Sequence, residues 1–121
     1  MNTNITFEHT TAKSGTHLQG NFRATYDELV KVFGEPTYMA ERDGGFDKVW
    51  TEWNLEFKVP TDDDDDDFDY VTATIYDWKE DGPYASRTGK PYTWHIGGFD
   101  WRAENAVGDV FEASVKEPMY A

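Results

Sequence analysis

Cysteine is absent from this chain, and basic side chains are scarce. The lack of cysteine excludes disulfide bonds and thiolate metal sites. It also favours a reducing compartment, because a secreted chain of this size often carries cross-links. No segment approaches the roughly 20 apolar residues of a membrane span, and residues 1–6 lack the basic and apolar regions of a signal peptide. We therefore expect a soluble cytoplasmic protein.

The charge balance is strongly acidic. The 121 residues include 11 Lys and Arg against 24 Asp and Glu, which gives a formal net charge of −13. A surface of this sign repels nucleic acids, anionic membranes and phosphorylated metabolites, and it attracts basic proteins. Disordered chains are often this charged, but aromatic residues make up 17% of this one, which is typical of a folded core. We expect a folded domain that binds a protein and binds neither nucleic acid nor membrane.

Residues 25–33 carry the pattern of a helix. Thr25 and Glu28 have the spacing of a capping box, in which each side chain bonds to the backbone amide of the other residue. Gly34 is expected to end the helix in the left-handed conformation, and Pro36 prevents its continuation. The apolar positions recur at helical spacing: Tyr26, Leu29, Val30 and Phe33. Such a short helix is unstable alone, so it must pack on a sheet.

Two segments alternate with the period of a β-strand. In residues 49–59 the odd positions are mainly apolar and the even ones mainly polar, which predicts one face in a core and the other largely in water. Residues 68–78 are apolar on both faces, which predicts a central strand. The six consecutive aspartates at residues 62–67 therefore lie in the connection of an antiparallel hairpin. Shorter strands are predicted at residues 18–23, 37–40 and 92–96.

A second helix is predicted from a cap at Asp100 to about Val115, with Gly108 in its middle, where glycine costs about 1 kcal/mol relative to alanine. Its apolar face consists of Ala103, Val107, Val110, Phe111 and Ser114 or Val115. Residues 79–91 are expected to be a loop. The fold class is α+β: an antiparallel β-meander of three to five strands with two helices packed on one face. Residues 17–121 form this domain, and residues 1–16 are expected to be a flexible arm or an edge strand.

No motif of a known catalytic class is present. His9, His17 and His95 are scattered, and His95, between Trp94 and Ile96, is interpreted as structural. Asp69 and Asp77 on one strand have the chemistry of a glycosidase pair, but in so acidic a chain such pairs arise by chance. The aspartate run lacks the ligand spacing of an EF-hand loop, so only weak divalent binding is left open. We predict no enzyme, no catalytic residue, no metal site and no cofactor.

Three segments resemble a group of small acidic proteins encoded by bacteriophages: residues 17–20 (HLQG), 25–37 (TYDELVKVFGEPT) and 94–98 (WHIGG). The resemblance spans most of residues 17–115 and implies a viral protein in the host cytoplasm. The helix that ends in Phe33–Gly34, followed by strands, is also similar to the unit of the β-lactamase inhibitor protein and of BamE-like folds. Neither resemblance implies a binding site.

Charge and resemblance together lead to one main hypothesis: a phage-encoded inhibitor of a host defence protein, of the anti-CRISPR or anti-restriction type. Its carboxylates would replace phosphates, spaced at one charge per about 1.7 Å of duplex DNA, and block the groove of a nuclease or CRISPR effector subunit. The predicted partner-binding residues are Glu52, Glu56, Asp62, Asp63, Asp64, Asp65, Asp66, Asp67, Asp69, Glu104, Asp109 and Glu112, with Trp50 and Trp78.

Three other functions stay open. A virion or phage accessory protein would bind a partner through an aromatic patch that includes Trp50, Tyr76 and Trp78. A sponge for a host signalling nucleotide would need a basic pocket, and Arg87 and Lys90 form the nearest candidate cluster. An acidic surface also keeps a small protein soluble without any partner. The sequence does not assign the target or the oligomeric state.

Overall fold

The structure, a computed structural model, describes residues 5–11, 15–43, 49–61, 67–80 and 82–116. Within these ranges the chain forms an antiparallel sheet and helices of very different lengths. The strands are β1 (Thr6–His9), β2 (His17–Ala24), β3 (Tyr38–Met39), β4 (Thr51–Pro60), β5 (Phe68–Tyr76) and β6 (Tyr92–Gly98). The helices are α1 (Tyr26–Phe33), α2 (Ala40–Asp43), α3 (Tyr84–Thr88) and α4 (Arg102–Lys116).

The sheet has six strands in the order β1-β4-β5-β6-β2, and β3 pairs with β4 beside β1. The predicted α+β class is confirmed, with more strands than the three to five expected. β5 is central, as its two apolar faces predicted, because β4 and β6 flank it. The pairing of β2 with β6 departs from a simple meander. It joins residues 17–24 to residues 92–98, and a local hydrophobic pattern does not encode such a long-range contact.

The core lies between one face of the sheet and the helices α1 and α4. The odd-numbered residues of β4 point into it as predicted, and Trp53, Leu55 and Phe57 have no exposed surface. The Trp53 ring meets Trp94 of β6 edge to face, with ring centroids 5.3 Å apart. Both indoles donate hydrogen bonds to backbone carbonyls, Trp53 Nε1 to Gly34 O at 2.8 Å and Trp94 Nε1 to Ala24 O at 3.0 Å. The large rings are thus fixed in orientation as well as buried.

Helix α1 begins with the predicted capping box. Thr25 Oγ1 accepts a hydrogen bond from the Glu28 amide at 3.0 Å, and the Thr25 amide donates to Glu28 Oε1 at 2.9 Å. Gly34 has the positive φ expected of a C-cap, 85°, but its ψ of −172° lies outside the left-handed helical region, so that part of the prediction is wrong. Its amide still donates to Val30 O at 2.8 Å and satisfies one terminal carbonyl.

Helix α4 is regular, although Gly108 was expected to weaken it. Its buried side chains follow one helical stripe: Ala103, Ala106, Val107 and Val110. The Asp100 carboxylate accepts a hydrogen bond from the Arg102 amide at 3.0 Å, which agrees with the predicted cap. An ideal Cβ on Gly108 would have no neighbour within 4 Å, so this glycine faces open space.

Two short helices were not predicted. Helix α2 directly follows β3 and begins at Ala40, the last residue of the predicted strand at residues 37–40. Helix α3 lies in the segment expected to be a loop. Pro83 and Gly89, which has a φ of 70°, mark the ends of α3. Five residues contain too few repeats to reveal a helical period. Among the described residues, no helix combines the length and the apolarity required to cross a membrane.

The prediction that the even-numbered face of β4 is largely in water is wrong for two residues. Glu52 and Asn54 are buried, with 6% and 5% of their surface exposed. Strands flank β4 on both sides: Glu52 lies between Tyr38 of β3 and Tyr76 of β5. An internal strand has neighbours along both of its edges, so its outward side chains are partly enclosed even without a covering helix. None of the described helices packs on this second side of the sheet, which we call the helix-free face.

Candidate functional site

Of the predicted partner-binding carboxylates, those on the described strands lie on two opposite faces of the sheet. Glu52 and Glu56 belong to the helix-free face, where their cross-strand partners are Tyr76 and Thr72. Asp69 belongs to the other face, beside α4, and its Oδ2 lies 3.4 Å from Arg102 Nη1. The reason is the alternation of side chains along a strand, which places odd and even positions on opposite sides.

The three predicted carboxylates of α4 are themselves spread along that helix. Glu104 lies over Gly20 of β2, where an added Cβ would collide with its carboxylate. Asp109 is exposed and lines a groove next to Asp69. Glu112 is exposed one turn further on. Of these three helix residues, only Asp109 lines the same groove as Asp69.

The aspartate run lies in the β4–β5 connection, as predicted. The last pair of the hairpin is Pro60 with Phe68, and the Thr61 amide donates to Asp67 O at 3.1 Å. Asp62–Asp66 lie outside the described residues, and Asp67 is exposed. The ends of the connection are therefore held together by paired backbone, which fixes where the aspartate run leaves the sheet.

A groove of about 230 Å³ lies between the end of this hairpin and α4. Its apolar residues are Ile5, Val59, Val71 and Ala106, and its polar rim includes Asp69, Arg102, Asn105 and Asp109. Trp101, with 67% of its surface exposed, completes the lining. Arg102 is held at 2.9 Å by Asp100, which lies just before α4. We call Asp67, Asp69, Asp100 and Asp109 the acidic end of the molecule.

A larger cleft of about 370 Å³ opens on the helix-free face. It is lined by Thr16, His17, Val49, Glu52, Thr74, Tyr76, Trp78 and Gly97. Burial, followed by the charge of Glu52, raises the pKa of the Tyr76 phenol. The Trp78 ring, 40% exposed, meets Tyr76 edge to face with a centroid distance of 6.0 Å. This cleft brings together a carboxylate and two aromatic rings.

Trp50 and Trp78, predicted to share an aromatic patch, have different surroundings. Trp50 is half-buried, and its Nε1 donates to Glu80 O at 3.0 Å. Tyr76 is stacked on His95, with ring centroids 5.5 Å apart and planes 25° apart. Trp78 and Tyr76 are therefore the parts of the predicted patch that line an open surface.

Asp77 is a buried carboxyl with no exposed surface. Its Oδ1 accepts hydrogen bonds from the amides of Trp50 at 2.8 Å and Thr51 at 3.1 Å. Its Oδ2 has no hydrogen-bond partner among the described residues. Burial outweighs the two amide bonds and raises the pKa of Asp77 to about 6.

Asp69 and Asp77 do not form a glycosidase pair. Eight residues of extended chain separate them, a span of about 26 Å at roughly 3.3 Å per residue, whereas such pairs are about 5–9.5 Å apart. Asp69 is exposed beside Arg102, and Asp77 is enclosed near the start of β4. Within the ranges that the structure describes, no three His, Asp or Glu side chains are grouped to hold a metal ion.

His9 has contacts that tie β1 to the end of α1. Its Nε2 lies 2.8 Å from Phe33 O, and its Nδ1 lies 2.6 Å from Thr37 Oγ1. The rings of Phe7 in β1 and Phe33 in α1 also pack edge to face, with centroids 5.2 Å apart. These contacts fix the edge strand on the helix.

No protein-family model, no curated protein and no solved structure matches the chain. The resemblances to bacteriophage proteins and to the β-lactamase inhibitor unit remain predictions. The choice between functions therefore depends on the geometry and the charge of the acidic end and of the cleft.

Sequence reasoning did not select Asp100 of the acidic end or Trp101 of the neighbouring groove as site residues. It also did not select His17 and Gly97 of the cleft. A signal for Trp101 was present, since it precedes α4 and lies outside the apolar stripe that begins at Ala103. Gly97 had no comparable signal. Its role depends on the cross-strand neighbour Thr74, and only the register of β5 and β6 identifies that neighbour.

Proposed function

We propose that this protein is a phage-encoded inhibitor that binds the basic nucleic-acid groove of a host defence protein through its acidic end. The observation that supports this most is the position of the aspartate run. It leaves the sheet between Pro60 and Phe68, at the end of the molecule that also carries Asp69 and Asp109. Because the chain leaves and re-enters the sheet at this end, we expect the negative charge of the run to add to that of Asp69 and Asp109.

The acidic end has the physical properties that phosphate mimicry requires. Its carboxylates are exposed or half-exposed, so they reach a partner without a rearrangement of the core. The paired strands β4 and β5 hold the base of the array, which reduces the conformational entropy lost on binding. A basic groove would associate with it by electrostatic steering that falls as ionic strength rises.

We restrict the proposed contact to carboxylates on one side of the sheet. The proposed contact consists of the acidic end (Asp67, Asp69, Asp100 and Asp109) together with Asp62–Asp66, and Trp101 serves as an aromatic anchor beside the groove. Glu52 and Glu56 lie on the opposite side of the sheet and are left out. Arg102 already neutralises part of Asp69 and Asp100, so the aspartate run carries most of the available charge.

A charge-matched pair of variants tests this proposal. The first is Asp63→Asn, Asp65→Asn and Asp67→Asn; the control removes three exposed carboxylates elsewhere, Glu8→Gln, Asp27→Asn and Glu35→Gln. The assay measures release of a labelled DNA duplex from the nucleic-acid-binding protein that co-purifies from the infected host, at about 50 and 200 mM salt. We expect the first variant to lose at least tenfold in affinity with a flatter salt dependence, and the control to lose much less.

Equal losses in the two variants would mean that only net charge matters, and the assignment to the acidic end would be wrong. A partner that keeps its DNA when the inhibitor is bound would contradict groove mimicry altogether.

The exposed ring of Trp78 favours a second function, a phage accessory protein that binds a partner through the helix-free face. That contact would be largely insensitive to salt and would be lost on Trp78→Ala. A nucleotide sponge has less support, because the cavity that contains Arg87 also contains the carboxylate residue Glu80, and Lys90 does not line it.

A further inference from the structure

The groove between the β4–β5 hairpin and α4 has an apolar floor. The residues of this floor are buried or partly buried: Ile5, Val59, Val71 and Ala106. The volume of the groove, about 230 Å³, is below the roughly 300–1,000 Å³ of a pocket for a small ligand. A groove of this size suits one long side chain of a partner, whose aliphatic part displaces water from the floor.

An exposed aromatic ring stands at one end of this groove. Trp101 lies just before α4 and has 67% of its surface exposed. Among the residues that the structure describes, neither a cation nor a second ring lies against its indole, and the indole N–H donates no hydrogen bond. The indole is therefore available to a side chain that enters the groove.

Two polar side chains of α4 lie further along the groove. Asn105 and Asp109 are exposed and four residues apart, so they share one face of the helix. Neither side chain has a hydrogen bond or an ion pair within the described part of the chain. Asp109 is eight residues from Trp101, about 12 Å along the helix axis at 1.5 Å per residue. A long side chain whose aliphatic part packs on the indole can therefore place its terminal group at the carboxylate.

The charge of the rim favours a cation. Arg102 also lines the groove, but its Nη2 lies 2.9 Å from Asp100 Oδ2 and its Nη1 lies 3.4 Å from Asp69 Oδ2. Together with Asp109, three carboxylates accompany this one guanidinium, and the whole chain has a net charge of −13. This surplus of negative charge repels an anion and attracts a cation to Asp109.

We propose that the groove receives an arginine side chain of the partner protein. The aliphatic part of the arginine lies on the apolar floor and against Trp101. Its guanidinium has five N–H donors in a flat fork, so it bonds the Asp109 carboxylate through two of them and the Asn105 amide oxygen through another. An ammonium group lacks this fork and is more strongly hydrated. The inference rests on the proposed function for the identity of the partner, and it adds the type of side chain that the groove recognises.

The experiment titrates small probes into the ¹⁵N-labelled full chain at constant ionic strength. N-acetyl-arginine amide is compared with N-acetyl-citrulline amide, which has a neutral ureido group of almost the same shape, and with N-acetyl-lysine amide, which has the same charge. The indole signal of Trp101 and the side-chain amide signals of Asn105 report binding. We expect saturable shifts of both with the arginine probe, and binding that is weaker by about fivefold or more with each of the other two.

Two exposed residues of the groove are then substituted. Asp109→Asn keeps the shape of the side chain and removes its charge, and it should weaken arginine binding by about fivefold. Trp101→Leu, followed by the Asn105 signals, should weaken it by about two- to fivefold. Both residues are exposed, so neither substitution disturbs the core. The matched controls should leave binding unchanged: Asp27→Asn, an exposed carboxylate on α1, and Tyr70→Leu, an exposed ring on the helix-free face.

Arg102→Gln tests the sign of the charge. The substitution frees Asp69 and Asp100 from their ion pairs, so it should strengthen binding of the arginine probe by about two- to fivefold. Weaker binding in this variant would overturn the proposal, because a groove that needs the Arg102 guanidinium suits an anion.

Equal binding of the three probes, unchanged binding in both groove variants, or no saturable shift at the solubility limit of the arginine probe would also overturn it. The titration needs no partner protein, so its failure is distinct from failure of the proposed function. Release of DNA from the partner by a chain that binds no arginine probe would support the inhibitor function and contradict the groove. Saturable arginine binding by a chain that releases no DNA would support the groove and contradict the inhibitor function.

Discussion

Asp77 shows how one buried carboxyl makes stability depend on pH. Two amides stabilise its ionised form through Oδ1, but Oδ2 has no partner among the described residues, and burial raises its pKa from 3.8 to about 6. The folded protein therefore binds this proton more tightly than the unfolded chain does. The resulting stability is complete below pH 3.8 and is lost as the pH rises through about 6.

We predict that Asp77→Asn removes this pH dependence. The free energy of unfolding of the variant, minus that of the unsubstituted protein, should rise between about pH 4 and pH 7 by at most about 3 kcal/mol, at 1.36 kcal/mol per pKa unit. Urea denaturation across this pH range measures the difference. The same substitution at exposed Asp67 controls for the loss of one carboxylate. A difference that stays constant with pH would show that Asp77 is solvated in the folded state.

At the scale of the element, Gly98 and Gly108 have opposite roles, because a neighbouring residue packs against the first and nothing described packs against the second. Gly108 faces open space in the middle of α4, whereas Gly98 of β6 lies directly beneath Ala103, and an added Cβ would collide with that methyl group. Gly98 thus allows α4 to approach the sheet closely. Gly108 has no such function in the described structure.

We predict that Gly108→Ala stabilises the protein by about 0.5–1 kcal/mol, because alanine restricts the unfolded chain and favours the helix. Gly98→Ala, the same chemical change a short distance away, should destabilise by about 1–3 kcal/mol through overpacking. Thermal and urea denaturation of the two variants measure both effects. If Gly108→Ala were destabilising, a partner for that face of α4 would have to exist outside the described residues.

At the scale of the whole molecule, the net charge of −13 opposes folding through self-repulsion. Salt shortens the range of that repulsion, from about 30 Å at 0.01 M to about 10 Å at 0.1 M. The described ion pairs are few and exposed, so their loss in salt has little opposing effect.

We therefore predict that the melting temperature rises when NaCl increases from about 10 to about 150 mM. The rise should be smaller in the variant with Asp63, Asp65 and Asp67 changed to Asn, because less repulsion remains to be screened. Chloride is preferred to sulfate, which stabilises proteins by surface exclusion. A melting temperature that falls with salt would mean that ion pairs outweigh repulsion in this fold.

Local patterns predicted α1, β4, β5 and the position of the aspartate run, because each depends on neighbours along the chain. The capping box of Thr25 and Glu28 and the alternation around Trp53 need no distant partner to be recognised. Helices α2 and α3 were too short to show a period. The pairing of β2 with β6 depends on residues about 70 positions apart, so no local signal reveals it.

The sequence alone determined the sign of the charge, the α+β class and the hairpin that carries the aspartates, since composition and periodicity are properties of neighbouring residues. Only the tertiary structure decided which carboxylates share a surface. It places Glu52 and Glu56 on the face of the sheet opposite Asp69 and buries Glu52 beside Tyr76. The missing side chain of Gly97 leaves space for a cleft at the same place. Strand register and the side on which helices pack set these relations, and both come from contacts between distant parts of the chain.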